Sequence, residues 1–337
     1  MNKRVFFRAD ASTKVGLGHL TRCLALASML RKNFTCSFLL KDSAALAMDL
    51  VKENDFHFEK LGEGSLTEEA QQVSALLKAG DIIVIDGYQF TEEYFEPLKA
   101  KGIALVLIDD FVKGYPLADV IINHAVDLTE NDFKNPGKIQ YCLGEKYAML
   151  RPPFLKLAGQ VRQISKVENV FVCFGGADYF NVTLKTLKAL EGSNLTVHLV
   201  LASTFPFAVE IKEFLNGTSL KTEVYYNLDA AQMAGLMGRC EIAIAPTSGL
   251  SYEICAVGMG YLGGYYIDNQ IAIHNGFLKR NCLISINDFT KVSGEEIRSH
   301  FELLVQDISK INELIANQKK TIDGKSPEKF IKVFSSL

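Results

Sequence analysis

No run of apolar residues in this chain reaches the roughly 18 that a membrane-spanning helix needs, so membrane insertion is not expected. There is no long basic stretch, and the formal net charge is −3, so nucleic acid is not the expected partner. The seven cysteines, at 23, 36, 142, 173, 240, 255 and 282, form no CxxC pair and are odd in number. Zinc-ribbon spacing is thereby excluded, and reduced, buried thiols in a cytoplasmic protein are expected in place of disulfides. No DxD motif occurs, no Gly-Lys-Ser/Thr follows a glycine turn, and no low-complexity tract or short repeat is evident. The opening MNKRVFFRADAS has a basic start, but Arg8 and Asp10 break its apolar run, so it reads as a first strand and not as a signal peptide.

What is present points to an α/β protein. At 337 residues and 48% hydrophobic, the chain can build two cores of roughly 150 residues each. Apolar runs of strand length recur at 4–7, 36–40, 81–86, 104–109 and 119–123, with helical periods at 20–32 and 66–80 between them. The runs do not alternate with polar residues, which marks parallel strands covered on both faces. The pattern restarts at NVFVCFGGADYFN (169–181), followed by strand-like stretches at 196–203, 222–227, 241–249 and 261–267. The reading is two Rossmann-like domains, 1–155 and 165–315, facing a cleft, with a C-terminal helix over 316–337.

Each half opens with strand, glycine turn and helix. Such turns lie outside the carboxyl ends of parallel strands, where open α/β sheets bind ligands. Backbone N–H groups and the positive end of a helix dipole favour a phosphate there, which accounts for Gly16 and Gly18, and for Gly175 and Gly176. No third glycine completes a dinucleotide fingerprint after Gly18; His19 stands there. A helix N-terminus disfavours the protonated ring, and a neutral imidazole at a cleft can act as general base. A histidine satisfied within its own helix or in an interface is an equal reading of the spacing.

The ordered set of motifs resembles the UDP-2,4-diacetamido-2,4,6-trideoxy-β-L-altropyranose hydrolases of pseudaminic acid biosynthesis and their relatives in spore coat polysaccharide synthesis. The resemblance rests on Arg8, Asp10, Gly16, Gly18, His19 and Arg22, then on LIDD (Asp109, Asp110), VIINHA (Asn123) and YCLGEKYAMLRPPF. It continues through VCFGGADYFN (Gly175, Gly176, Asp178, Asn181), PTSGLSYE (Ser248, Glu253) and IDNQ (Asn269, Gln270). It implies a GT-B-like fold, UDP-sugar and water as small-molecule partners, no cofactor and no metal. His19 would activate water at the anomeric carbon. Arg8, Asp10, Gly16, Gly18, Arg22, Asp86, Tyr88, Asn269 and Gln270 would serve the sugar. Gly175, Gly176, Asp178, Asn181, Ser248 and Glu253 would serve the nucleotide, with Glu253 on the ribose hydroxyls.

Other readings of the same residues stand beside these. Arg8 and Asp10 read equally as an ion pair tying down the first loop. Asp109 and Asp110 are adjacent on a strand, so their carboxylates point to opposite faces and cannot flank one bond. His124, His198 and His274 read as ordinary core or surface residues. The family commonly carries Asp-His-Tyr after its third strand; here the segment is Asp86-Gly87-Tyr88, which is expected to open room on the sugar side. That departure, and the glycine-rich GYLGGYY at 260–266, keep two alternatives open: a GT-B glycosyltransferase with a UDP-sugar donor, and a nucleotide-sugar-binding protein without turnover.

Overall fold

A computed structural model describes residues 3–9, 18–41, 45–133, 139–175, 178–203 and 205–337. The chain divides into two compact units, Met1–Pro152 with Lys325–Leu337, and Pro153–Gly324.

The first unit is built on strands β1 (Arg4–Ala9), β2 (Thr35–Lys41), β3 (His57–Leu61), β4 (Ile82–Asp86), β5 (Ala104–Ile108), β6 (Val120–Asn123) and β7 (Gln140–Leu143). Its helices are α1 (Gly18–Leu30), α2 (Ala45–Glu53), α3 (Leu66–Leu76) and α4 (Glu92–Ala100), and α5 (Pro152–Ala158) begins at its boundary. The sheet is parallel, in the order β3-β2-β1-β4-β5-β6-β7. Strand order reverses between β1 and β4, which pair from Val5 opposite Ile82 to Ala9 opposite Asp86. On one face, Phe6, Ile83, Ile85, Leu105, Leu107 and Ile121 pack with Ala70 and Val73 of α3 and with Tyr94, Phe95 and Leu98 of α4. Burial of such side chains stabilises by about 1.5–3 kcal/mol each, which is why the strands read as unbroken apolar runs.

The second unit runs β8 (Asn169–Val172), α6 (Val182–Ala189), β9 (Thr196–Leu201), α7 (Ala208–Gly217), β10 (Thr222–Tyr226), α8 (Ala230–Arg239), β11 (Ile242–Pro246), α9 (Gly249–Val257), β12 (Gly260–Tyr265), α10 (Ile271–Lys279), β13 (Ile284–Asp288), α11 (Gly294–Gln306) and α12 (Ile308–Thr321). Its parallel sheet has the order β10-β9-β8-β11-β12-β13, with the reversal between β8 and β11. The glycines of β12 are packing residues. A Cβ on Gly264 would lie 2.5 Å from the Asn287 carbonyl oxygen and 2.8 Å from the Phe289 ring, where β12 and β13 shift register.

The segment 316–337 is not one helix. Gly324, with φ of +72°, ends the connection after α12, and α13 (Ser326–Ser336) follows with Pro327 in its first turn. Phe330, Val333 and Phe334 of α13 are buried in the first unit, where Phe334 meets Phe34 at 6.1 Å and Phe330 meets Tyr147 at 5.3 Å.

Candidate functional site

The reversal between β1 and β4 brings the end of β4 to the first turn of α1. His19, the second residue of α1, is buried, and its Nδ1 lies 2.6 Å from Oδ1 of Asp86, the last residue of β4. Arg22, one turn along α1, grips two carboxylates. Its Nε and Nη2 donate to Asp86 at 2.6 Å each, and its Nη1 and Nη2 donate to Asp110 at 2.8 and 2.9 Å. The Tyr88 hydroxyl donates to Asp110 at 3.0 Å, and the Tyr88 ring stands edge-on to His19 at 4.8 Å.

These partners set the charges. Burial by itself would raise the Asp86 carboxyl, but the Arg22 charge and the hydrogen bonds from Arg22 and His19 hold it below the ordinary carboxylate value. Asp110 is held at about 2, its burial again outweighed by Arg22. His124, which follows β6 and is buried, is pushed down to about 4 by burial and then by the Arg22 charge. A carboxylate only accepts, so the Nδ1 of His19 carries the proton given to Asp86. Arg22 Nη2, 3.2 Å from the same nitrogen, can then only be a contact, because a guanidinium cannot accept. In the neutral ring the lone pair then lies on Nε2, and no described residue is hydrogen-bonded to that atom.

The adjacent acids divide the work, as their opposite orientation requires. Asp110 takes Arg22 and Tyr88, whereas Asp109 turns the loop, accepting from the N–H groups of Phe111 (3.0 Å) and Gly114 (3.2 Å). Asn123 fixes the same loop, its Nδ2 donating to the Asp109 carbonyl at 2.6 Å. Gly87 does not open room. A Cβ there would stand 2.8 Å from Phe90 Cε2 and 2.8 Å from Gln89 Oε1, so those two side chains already fill the space. Arg8 is fully buried, and its Nε donates to Glu69 at 2.6 Å; Tyr94 donates to the same carboxylate at 2.9 Å. Asp86, equally, has no exposed surface for a ligand. Gly18 is exposed as the first residue of α1, while Asp10 and Gly16 lie outside the described residues.

In the second unit, two helix N-termini stand at the β8/β11 reversal, and they differ. That of α6 is occupied by protein. Asp178, buried, accepts from the N–H groups of Val182 (2.9 Å) and Thr183 (2.7 Å) and from the Thr183 hydroxyl (2.8 Å). Asn181, in the left-handed conformation, accepts from the Leu184 N–H at 3.4 Å. Both residues therefore cap the helix. The N-terminus of α9 is capped by Ser248, which accepts from the Leu250 N–H at 3.3 Å, but Gly249 is exposed and a Cβ there would meet nothing. Glu253 is buried one turn further along α9. Gly175, with φ of +78°, is exposed in the loop after β8, and Gly176 lies outside the described residues. Asn269 is exposed after β12, whereas Gln270 is buried, accepting from the Tyr266 N–H at 3.0 Å and from the Thr247 hydroxyl at its carbonyl, at 3.3 Å.

Among the described residues no three His, Cys, Asp or Glu side chains are grouped to hold a metal ion, and no helix is long and apolar enough to cross a membrane.

No family model matches the sequence. The chain is 25% identical over 284 residues to an uncharacterized protein of Methanocaldococcus jannaschii, a match covering 80% of this chain and 57% of that one. It is 24% identical over 271 residues to the UDP-2,4-diacetamido-2,4,6-trideoxy-β-L-altropyranose hydrolase of Campylobacter jejuni, covering 79% of this chain and 93% of that one. In structure it resembles the UDP-GlcNAc 2-epimerase of Neisseria meningitidis bound to UDP-GlcNAc, with a TM-score of 0.71, 11% identity and both chains covered in full. MurG of Acinetobacter baumannii, with a TM-score of 0.68 and 11% identity, likewise matches over the whole of both chains. The fold is GT-B-like, two parallel sheets of seven and six strands, and the sequence is similar to the altropyranose hydrolase across 79% of the chain.

Proposed function

We propose that the chain hydrolyses a UDP-linked diacetamido-trideoxyhexose, releasing UDP and the free sugar. The observation that carries this reading is the His19–Asp86 contact at the strand reversal, 2.6 Å between Nδ1 and a carboxylate oxygen, which in the neutral ring leaves the Nε2 lone pair free. In the reaction, Nε2 takes a proton from water as the water oxygen bonds to the anomeric carbon. The bond from that carbon to the UDP oxygen breaks, and UDP carries away the electron pair. Asp86 stabilises the imidazolium that forms, and the proton then passes to solvent. The nucleotide belongs to the second unit in this reading. The N-terminus of α9 would receive the diphosphate through the N–H of the exposed Gly249 and the helix dipole. Glu253, on the same helix, would accept the ribose hydroxyls. Asp178 and Asn181 act indirectly, by shaping α6 and the glycine loop before it.

The test is UDP release from a panel of UDP-sugars, followed by NMR with and without candidate acceptor alcohols. Release without acceptor is expected. His19→Asn should lower turnover by about 10²–10⁴ while leaving UDP affinity unchanged. Release only with acceptor would make the protein a glycosyltransferase, and near-normal turnover in His19→Asn would remove the base from the mechanism.

A further inference from the structure

The first unit holds a recess of about 400 Å³ that has no part in the reaction above. Its walls include Gln140 of β7, Lys146 and Tyr147 of the short helical turn after that strand, and Lys329, Lys332 and Ser336 of α13. In the sheet, β5 and β6 stand between β7 and β4, whose last residue is Asp86.

The fold fixes these walls. α13 is anchored by the buried Phe330 and Phe334, and the Phe330 ring meets Tyr147 at 5.3 Å. A spacing of three residues puts Lys329 and Lys332 on one side of that helix. Lys146 reaches over the Tyr147 ring, its Nζ 5.6 Å from the ring centre. Three ammonium groups thus border one recess, and none of the described residues that line it is acidic. Like charges so placed repel, and a bound anion relieves that repulsion.

The donors set the class of ligand. An ammonium donates three hydrogen bonds and accepts none. The Ser336 hydroxyl gives its proton to the Val333 carbonyl at 2.7 Å, so it has none to offer. No arginine among the lining residues supplies the planar fork that suits a carboxylate. Lysines act as point charges, and several together suit a phosphate, which carries more than one negative charge. The volume lies in the range of small-molecule sites, about 300–1,000 Å³.

Independently of the hydrolase reading, we infer that this recess is an anion site of the first unit that takes a phosphate-bearing group, from a soluble small molecule or from a lipid headgroup. No sequence motif marks it; the return of α13 to β7 assembles it.

The test titrates inorganic pyrophosphate calorimetrically into the full chain saturated with UDP, so that a nucleotide site elsewhere is already filled. Lys146 and Lys332 are both exposed, so Lys146→Gln/Lys332→Gln should fold normally. It should bind pyrophosphate about tenfold or more weakly, with UDP affinity unchanged. Lys32→Gln/Lys78→Gln removes the same net charge from exposed positions of the same unit, and should change pyrophosphate binding by less than about twofold. Flotation with phosphatidylcholine vesicles, with and without phosphatidic acid, shows whether a lipid headgroup supplies the phosphate. Binding of pyrophosphate, of phosphatidic acid vesicles or of both supports the site if Lys146→Gln/Lys332→Gln loses it and the control pair keeps it. Binding of neither by the wild-type chain, or a Lys146→Gln/Lys332→Gln protein that binds as well as the control pair, overturns it.

Discussion

His19 and Asp86 stand 67 residues apart in sequence and 2.6 Å apart in space, joined by the pairing of β1 with β4. The place of His19 at a helix start was legible in the sequence. The role of Asp86 was not. As a strand-end carboxylate it reads as a sugar contact, and only the register of β1 against β4 reveals that it lies behind the histidine with no exposed surface. Arg22 is similar, because a cation near a sugar site invites a ligand role until all its nitrogens are seen to be spent on Asp86 and Asp110. The consequence is testable. In the proposed mechanism, Asp86→Asn keeps the shape but removes the charge that would stabilise the imidazolium and fix its tautomer. Turnover should fall by about 10²–10⁴, with UDP affinity unchanged, because the nucleotide is assigned to the other unit. Steady-state kinetics beside calorimetric titration with UDP would decide it. A loss of UDP affinity with turnover preserved would place Asp86 in ligand binding after all.

Among the elements, the buried strands were easy to read and the sheet margins were not. β4 up to Asp86, and all of β5, are apolar because both faces are covered, whereas β3, HFEKL, lies at a sheet edge with His57, Glu59 and Lys60 exposed. β13, ISIND, at the edge of the other sheet, is equally short and polar. Helix termini posed a different difficulty. Glycine, aspartate and asparagine before α6 suggest a phosphate site, but the same residue types also cap helices, and here Asp178 and Asn181 take the donors themselves. Asp178→Ala should therefore act on stability. It leaves buried N–H donors without their carboxylate, at a cost of about 1–3 kcal/mol. UDP affinity should change much less than it does on substitution of Glu253. Urea unfolding and UDP titration of both variants measure this. A stable Asp178→Ala protein with tenfold or weaker UDP binding would return the diphosphate to α6.

On the scale of the whole molecule, the restart of strand, glycine turn and helix at residue 169 made two α/β units legible, but not the return of α13 to the first. An amphipathic helix shows in sequence which face it buries, not against what. Within the first unit, acid stability follows from the same charges that build the site. The buried His124 titrates at about 4, below its ordinary value near 6.5, so between these limits the unfolded chain binds a proton that the folded one refuses. Stability is then complete above pH 6.5 and declines as the pH falls toward 4, by at most on the order of 3 kcal/mol. Asp110, held at about 2, and Asp86, also lowered, contribute stability that is present above the ordinary carboxylate value and is lost only in stronger acid. Burial lowers His198 and His274 of the second unit in the same direction, so a global melting curve would mix the two units. Hydrogen exchange of the β4 and β5 amides reports on the first unit alone. Their protection should weaken steadily from pH 6.5 to 4.5 after correction for the intrinsic exchange rate. In His124→Gln that slope should disappear while the loss at lower pH remains. A slope of equal size in the variant would show that His124 does not carry the effect, and that a different group in this unit takes up the proton on unfolding.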